Sequence, residues 1–219
     1  MEALKENLSD LLEWNDGVGF LPLSTENYAS YPEFQQGREK EKDAIHRNIV
    51  RERIKMIEQF TLCDELSKCL DVYIGGGFFI REMNRITKIK TCGIDVSVYA
   101  LKWLKSNEYE SVQNTYDLLT FWDAFDQIPE PDRYIVDYKP RYVAISIPIY
   151  YSKEQIVSSY YFNSGKRFWF FTEKGLVKWM NDLDFSMICH SNQEDVKFGK
   201  TKYQTFIFAA NTKYEAIYG

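Results

Sequence analysis

Leu70-Asp71-Val72-Tyr73-Ile74-Gly75-Gly76-Gly77-Phe78-Phe79-Ile80 is the stretch on which the fold turns. An apolar run enters three glycines and leaves as Phe78, Phe79, Ile80, Met83 and Ile86, with Arg81, Glu82, Arg85 and Lys88 between them. The period changes from that of a strand to that of a helix across the glycines, which makes a strand, a tight turn and a helix start. Glycine lets the backbone take positive φ and lie against a ligand. The helix beyond it directs free N–H groups and a positive dipole end at whatever fills the crevice. The next apolar segment, Thr91-Cys92-Gly93-Ile94-Asp95-Val96-Ser97, ends in a carboxylate. A glycine turn followed by an acid at the end of the neighbouring strand fits a nucleoside ligand, whose ribose hydroxyls the acid accepts.

Strands and helices alternate outward from that centre, the pattern of an α/β sheet. Strands are expected at about 68–74, 90–95, 117–122 and 141–147, and helices at about 77–87, 97–106, 132–137 and 173–181. Thr172 is placed to cap the last of these helices, with Glu173 in its first turn. Two closing strands, about 185–190 and 203–210, form a hairpin across Gly199-Lys200-Thr201. Ahead of the sheet, Leu4, Leu8, Leu11, Leu12 and Trp14 mark an amphipathic helix over residues 1–15, and residues 20–37 read as loop. A charged helix runs from about Glu39 to Gln59, with Ile45, Ile49, Ile54, Ile57 and Phe60 along its inner side. The chain divides into an N-terminal extension, residues 1–62, and an α/β domain, residues 63–219.

Composition excludes several functions. A net charge of −5, with Lys/Arg clusters at Arg38–Lys42 and Arg51–Lys55 interleaved with acids, is unsuited to nucleic acid. The four cysteines, Cys63, Cys69, Cys92 and Cys189, form no Cys-x-x-Cys pair, and His46 and His190 are the only histidines, so no metal is expected. No apolar run reaches membrane-spanning length, so a cytoplasmic protein without membrane contact is expected. The glycine turn does not follow Gly-x-Gly-x-x-Gly, which argues against a dehydrogenase.

The segment from Leu70 to Phe79 resembles the first motif of class I S-adenosylmethionine (SAM)-dependent methyltransferases, Asp-x-Gly-x-Gly-x-Gly-Phe-Phe, through Asp71, Gly75 and Gly77. Asp95 to Ala100 is similar to the second motif. Tyr116–Pro131, Lys139–Ser146 and Phe170–Lys174 are similar, in order, to the later blocks of the subgroup acting on sugars, quinones and other small acceptors. The resemblance implies a Rossmann-like class I methyltransferase fold. That fold has a mostly parallel seven-stranded sheet, a C-terminal antiparallel hairpin and an N-terminal helical lid. It implies S-adenosylmethionine as cofactor, held by Tyr73, Gly75, Gly76, Gly77, Asp95, Val96, Phe121, Trp122 and Asp123. Tyr28, Tyr31, Gln127, Tyr150, Arg167 and Trp169 fall on the side of a small-molecule acceptor, and Arg38 joins the two tyrosines as a lid residue.

This chain departs from that pattern at three places. Tyr73 stands where the family has its first glycine. Only a short segment separates Lys105 from Asp117, so Tyr109–Gln113 is at most a stub of the third strand, with Gln113 or Asn114 as its polar contact. Gln127, Arg167 and Trp169 replace histidines common in the family, and neither glutamine nor arginine is a base at neutral pH. These losses leave open an alternative: a methyltransferase fold that serves as a binding or assembly subunit.

Overall fold

The computed structural model describes residues 8–23, 43–62, 65–111, 114–200 and 202–211. Six strands form the main sheet: β3 (Lys68–Val72), β4 (Lys90–Ile94), β5 (Leu118–Trp122), β6 (Tyr142–Pro148), β8 (Phe185–Ser191) and β9 (Tyr203–Ala210). Their order is β4-β3-β5-β6-β9-β8. The first four are parallel, and β9 runs antiparallel between β6 and β8. The sheet is therefore the expected Rossmann-like one, with six strands in place of seven. Among the described residues it is the third strand that is missing. Its remnant is a single parallel bridge, Gly93 to Glu110, at the β4 edge.

Alternation along the strands sorts side chains to two faces. Leu70, Val72, Leu119, Phe121, Val143, Ile145, Phe206 and Phe208 point to one face. There they pack with Ile135 of α4 (Pro131–Tyr138) and with Leu176 and Met180 of α7 (Glu173–Asp182). Cys69, Leu118, Ala144 and Ile207 point to the other. They pack against α1 (Ala44–Phe60) and α2 (Phe78–Ile86) through Val50, Ile54, Ile57, Phe79 and Met83. Helix α3 (Val98–Ser106) covers the β4 edge, where Ala100 and Leu104 meet Ile74 and Ile80.

Several local expectations are corrected. Residues 8–11 are helical, but Glu13–Asn15 is a strand, β1. It pairs with β2 (Val18–Phe20) around a turn in which Asp16 and Gly17 both take positive φ. β2 in turn pairs with β7 (Trp169–Phe171), so the start of the chain is stitched to the α/β domain as a second, three-stranded sheet. On α1, Ile45 and Phe60 are exposed and the inner side is Ile49, Val50, Arg53, Ile54 and Ile57. The connection between β8 and β9 is no tight hairpin turn: it carries a helix, α8 (Gln193–Phe198), which Gly199 closes at φ 66°. Two short helices, α5 (Lys153–Val157) and α6 (Tyr160–Asn163), link β6 to β7. Among the described residues no helix is long and apolar enough to cross a membrane.

Candidate functional site

Parallel strands end together, and loops beyond their carboxyl ends make the crevice of an open α/β sheet. At β3 the Tyr73 N–H continues the pairing by donating to Ile94 O at 2.8 Å, and the chain then turns, with Gly77 N–H donating to Ile74 O at 2.9 Å. Tyr73 takes φ 61°. That explains why glycine suits this position in the family pattern: a bulky residue held in the left-handed region is strained by roughly 1–2 kcal/mol. Its half-buried ring packs beside the main core in compensation.

Gly75 and Gly77 both have positive φ, 54° and 76°, yet they serve different ends. A Cβ on Gly75 would meet nothing within 4 Å, so this part of the turn faces open space. A Cβ on Gly77 would lie 2.2 Å from the Trp103 ring of α3, so Gly77 is required for helix packing. Gly76 lies between them and is exposed to less than its neighbour Gly75.

Two carboxylates lie near the carboxyl ends of neighbouring strands, Asp71 in β3 and Asp95 just past β4. Asp71 is buried and accepts the Thr120 hydroxyl at 2.7 Å. Burial raises its pKa to about 7 against the opposing Thr120 hydroxyl and Arg53 charge, and the nearby Asp95 charge adds to the rise. Asp95 accepts the Ser97 N–H at 2.8 Å. Burial raises it to about 6, opposed by the backbone N–H groups of Ser97, Ile74 and Val96. The Ser97 hydroxyl beside it is buried without a partner, whereas Val96 is exposed.

Beyond β5, β6 and β9 the surroundings are ionic. Arg53 reaches from α1 to Glu194 of α8, with Nε to Oε1 at 2.6 Å and Nη2 to Oε2 at 2.7 Å. Ser146 at 3.0 Å and Thr205 at 2.9 Å donate to the same Glu194 Oε1, and Lys200 donates to Oε2 at 3.2 Å. Burial alone would raise the Glu194 carboxyl, but Arg53 and Lys200 hold it down at about 2. Asp123, at φ 63°, receives Lys200 at 2.6 Å and Arg53 at 3.5 Å. Its pKa is depressed because Lys200 and Arg53 outweigh the cost of burial.

A second buried pair lies behind the first. Arg167 donates to Asp126, and to the Tyr203 hydroxyl at 2.8 Å, with its guanidinium 4.5 Å from the Tyr161 ring centre. Burial raises the Asp126 carboxyl against the Arg167 charge. Asp123 Oδ1, Asp126 Oδ1 and the Tyr150 hydroxyl are buried without hydrogen-bond partners.

Gly75 and Val96 are exposed and Tyr73 and Asp95 half-buried just beyond the carboxyl ends of the paired strands β3 and β4. Asp123 is half-buried beyond β5, whereas Tyr150 is buried in the cluster with Phe162 and Phe170, and Arg167 is buried against Asp126 and Tyr203. Phe121 is elsewhere: it is wholly buried, edge-on to Phe125 at 5.2 Å. Trp122 turns to the α1 face, 5.1 Å from Phe79, with the Arg53 guanidinium 4.6 Å above its ring. Gln127 donates to the Asp123 carbonyl and fixes that loop. Trp169 donates its indole N–H to Ile128 O and Pro129 O and belongs to a separate outer groove. Tyr28, Tyr31, Arg38 and Gln113 lie outside the described residues. Arg53, Glu194 and Lys200 went unnoticed in the sequence. A signal existed for Arg53, which sits among Ile49, Val50, Ile54 and Ile57 on one helical stripe.

No protein-family model matches the sequence, and no curated protein is similar to it in sequence. Solved structures do share its fold. A putative sarcosine dimethylglycine methyltransferase from Galdieria sulphuraria aligns with TM-score 0.61 and 13% identity, over 84% of this chain and 91% of that one. The Burkholderia thailandensis 1,6-didemethyltoxoflavin-N1-methyltransferase, solved with its substrate and S-adenosylhomocysteine, aligns with TM-score 0.54 and 11% identity, over 91% and 99%. The [4+2]-cyclase SpnF aligns with TM-score 0.53 and 14% identity, over 74% and 80%. The fold is that of class I methyltransferases. The cyclase among the neighbours makes plain that the fold alone does not fix the reaction.

Proposed function

We propose that this chain binds S-adenosylmethionine in the Gly75–Asp95 crevice and transfers its methyl group to a small-molecule acceptor on the Asp123 side. The observation that carries this is the pairing of an open glycine turn with a half-buried carboxylate at the end of the adjacent strand. The residues fit the cofactor. Gly75 leaves room for it, Asp95 accepts the ribose hydroxyls, and the Ser97 hydroxyl is an uncommitted partner beside them. Ribose hydroxyls donating to Asp95 favour its ionised form.

The bound sulfonium supplies a methyl group activated for in-line displacement. The chain's own part is to hold the acceptor in line, exclude water and receive a proton. Asp123 is bridged to Lys200 and is a poor base. Asp126 is paired with Arg167 and buried, so it is no better placed to take the proton.

A second function is favoured by one specific observation, the reduction of the third strand to the Gly93–Glu110 bridge. A chain that lost the adenine side of its site in this way serves as a methyltransferase-fold binding or assembly subunit. Incubation with methyl-tritiated S-adenosylmethionine and the small-molecule fraction of a cell extract separates the two. Label passing to a small molecule, and not in Asp95→Ala, supports transfer. No detectable binding of S-adenosylhomocysteine at millimolar ligand, with no label transferred to any fraction, supports the subunit.

A further inference from the structure

We propose that the outer groove on the β2–β7 sheet is a binding site for an organic ammonium ion, separate from the methyl-transfer crevice. The two faces of this small sheet differ. The missing Gly19 side chain would meet Leu12, Trp14 and Phe170, so that face looks inward to the cluster containing Tyr150, Ile156 and Phe162. Val18 and Phe20 must then point the other way, as do their cross-strand partners Phe171 and Trp169. On that side lies a groove of about 470 Å³, closed below by α7 and by the first turn of α4.

The floor is aromatic. Trp169 and Trp179 meet edge to face, with ring centres 4.7 Å apart at 76°, and Phe20 lies 4.5 Å from Trp169. Each ring stays partly exposed. Two indoles set nearly at right angles present an electron-rich face and a neighbouring wall to a rounded cation, and tryptophan is the strongest cation–π partner among the side chains. The rim supplies the matching charge. Glu13, Asp16, Asp132 and Asp182 line the groove against one cation among the described residues, Lys178, which bridges Asp182 at 2.7 Å. An aromatic floor under uncompensated carboxylates suits a positively charged group that is itself apolar, such as a trimethylammonium. An anion would meet repulsion at the rim, and a neutral apolar molecule would leave the rim charges unused. None of the residues lining the groove belongs to the glycine turn or to the Asp123 cluster.

The test is a fluorescence titration of the full chain with choline and, in parallel, with 3,3-dimethyl-1-butanol, its uncharged isostere. Two of the five tryptophans stand in the groove and report occupancy. Choline is expected to give a saturable change at millimolar concentration, with the alcohol weaker by about tenfold or more. Trp179→Leu abolishes the response, whereas Trp179→Phe, which keeps an aromatic face, retains part of it. The exposed Asp182→Asn change weakens choline by about two- to fivefold at low salt, with the difference vanishing at high salt. None of these variants alters S-adenosylhomocysteine affinity. Equal responses to choline and the alcohol, no saturation with choline, or a choline response that survives Trp179→Leu would overturn the proposal, whatever the outcome for methyl transfer.

Discussion

The two halves of the sheet's carboxyl edge are built on opposite plans. On the β3–β4 half the edge is shaped by backbone: a positive-φ glycine facing open space, and two carboxyls held by hydroxyl and amide donors, with no cation among the described residues within bonding distance. On the β5–β6–β9 half it is filled by side chains. There Arg53, Glu194, Lys200 and Asp123 neutralise one another below the surface. The first half has carboxyls raised by burial, waiting for donors. The second has carboxyls pulled down by partners they already possess. A ligand rich in hydroxyls gains on the first half, whereas the second holds the fold closed and positions what comes next to it.

The largest effect is expected where the ionic half is broken. Arg53→Ala removes the bidentate partner of a buried Glu194 and leaves it the longer Lys200 contact, so chemical denaturation should show a loss of about 3 kcal/mol. Replacing both Arg53 and Glu194 with leucine or methionine should recover much of that loss, because no charge is then left unpaired.

The glycine turn sharpens the contrast next. Gly77→Ala must displace the Trp103 ring and adopt positive φ, at a stability cost of about 2–3 kcal/mol. Gly75→Ala pays only for the dihedral, about 1 kcal/mol, but intrudes on the crevice. Its signature is an S-adenosylhomocysteine affinity reduced by about tenfold or more, with thermal stability little changed. A Gly75→Ala chain that binds normally would detach the open turn from the cofactor.

The last contrast concerns pH. Asp71 and Asp95 ionise at about 7 and about 6 in the folded chain, against about 3.9 when unfolded. Between about pH 4 and 7 the folded chain therefore holds more protons than the unfolded one, and stability falls as pH rises through that window. Asp71→Asn removes its share of that slope. Urea denaturation at pH 5 and pH 8 should find the variant gaining on wild type at the higher pH. Glu194, lowered to about 2, acts oppositely: its contribution is lost progressively as pH falls from about 4.3 through about 2.

The architecture was legible because its signals are local. The strand–glycine–helix stretch, the acid at Asp95 and the Thr172 cap can each be read within a few residues, and Thr172 does accept the Gly175 N–H at 3.0 Å. The lost strand was legible too, by counting residues between Lys105 and Asp117. What escaped depends on distant pairings. The β1–β2–β7 sheet consists of strands of three residues, too short to show alternation. Arg53 and Glu194 are 141 positions apart, and each sits in a charged segment that looks solvated by itself. Only the burial of Arg53's helical neighbours gives it away. Trp169 was read from its place in a motif, but its cross-strand partner Phe20 decides which side of the sheet it occupies.

The central claim is that Asp95 and the open turn hold a nucleoside. Isothermal titration with S-adenosylhomocysteine, run on wild type and Asp95→Ala at pH 5 and pH 7.5, tests it most directly. Micromolar binding at pH 7.5 is predicted, weaker at pH 5 where Asp95 is protonated, with proton release on binding in between and no detectable heat from the variant. Affinity that is the same at both pH values and survives Asp95→Ala, or no binding to wild type at all, would contradict it.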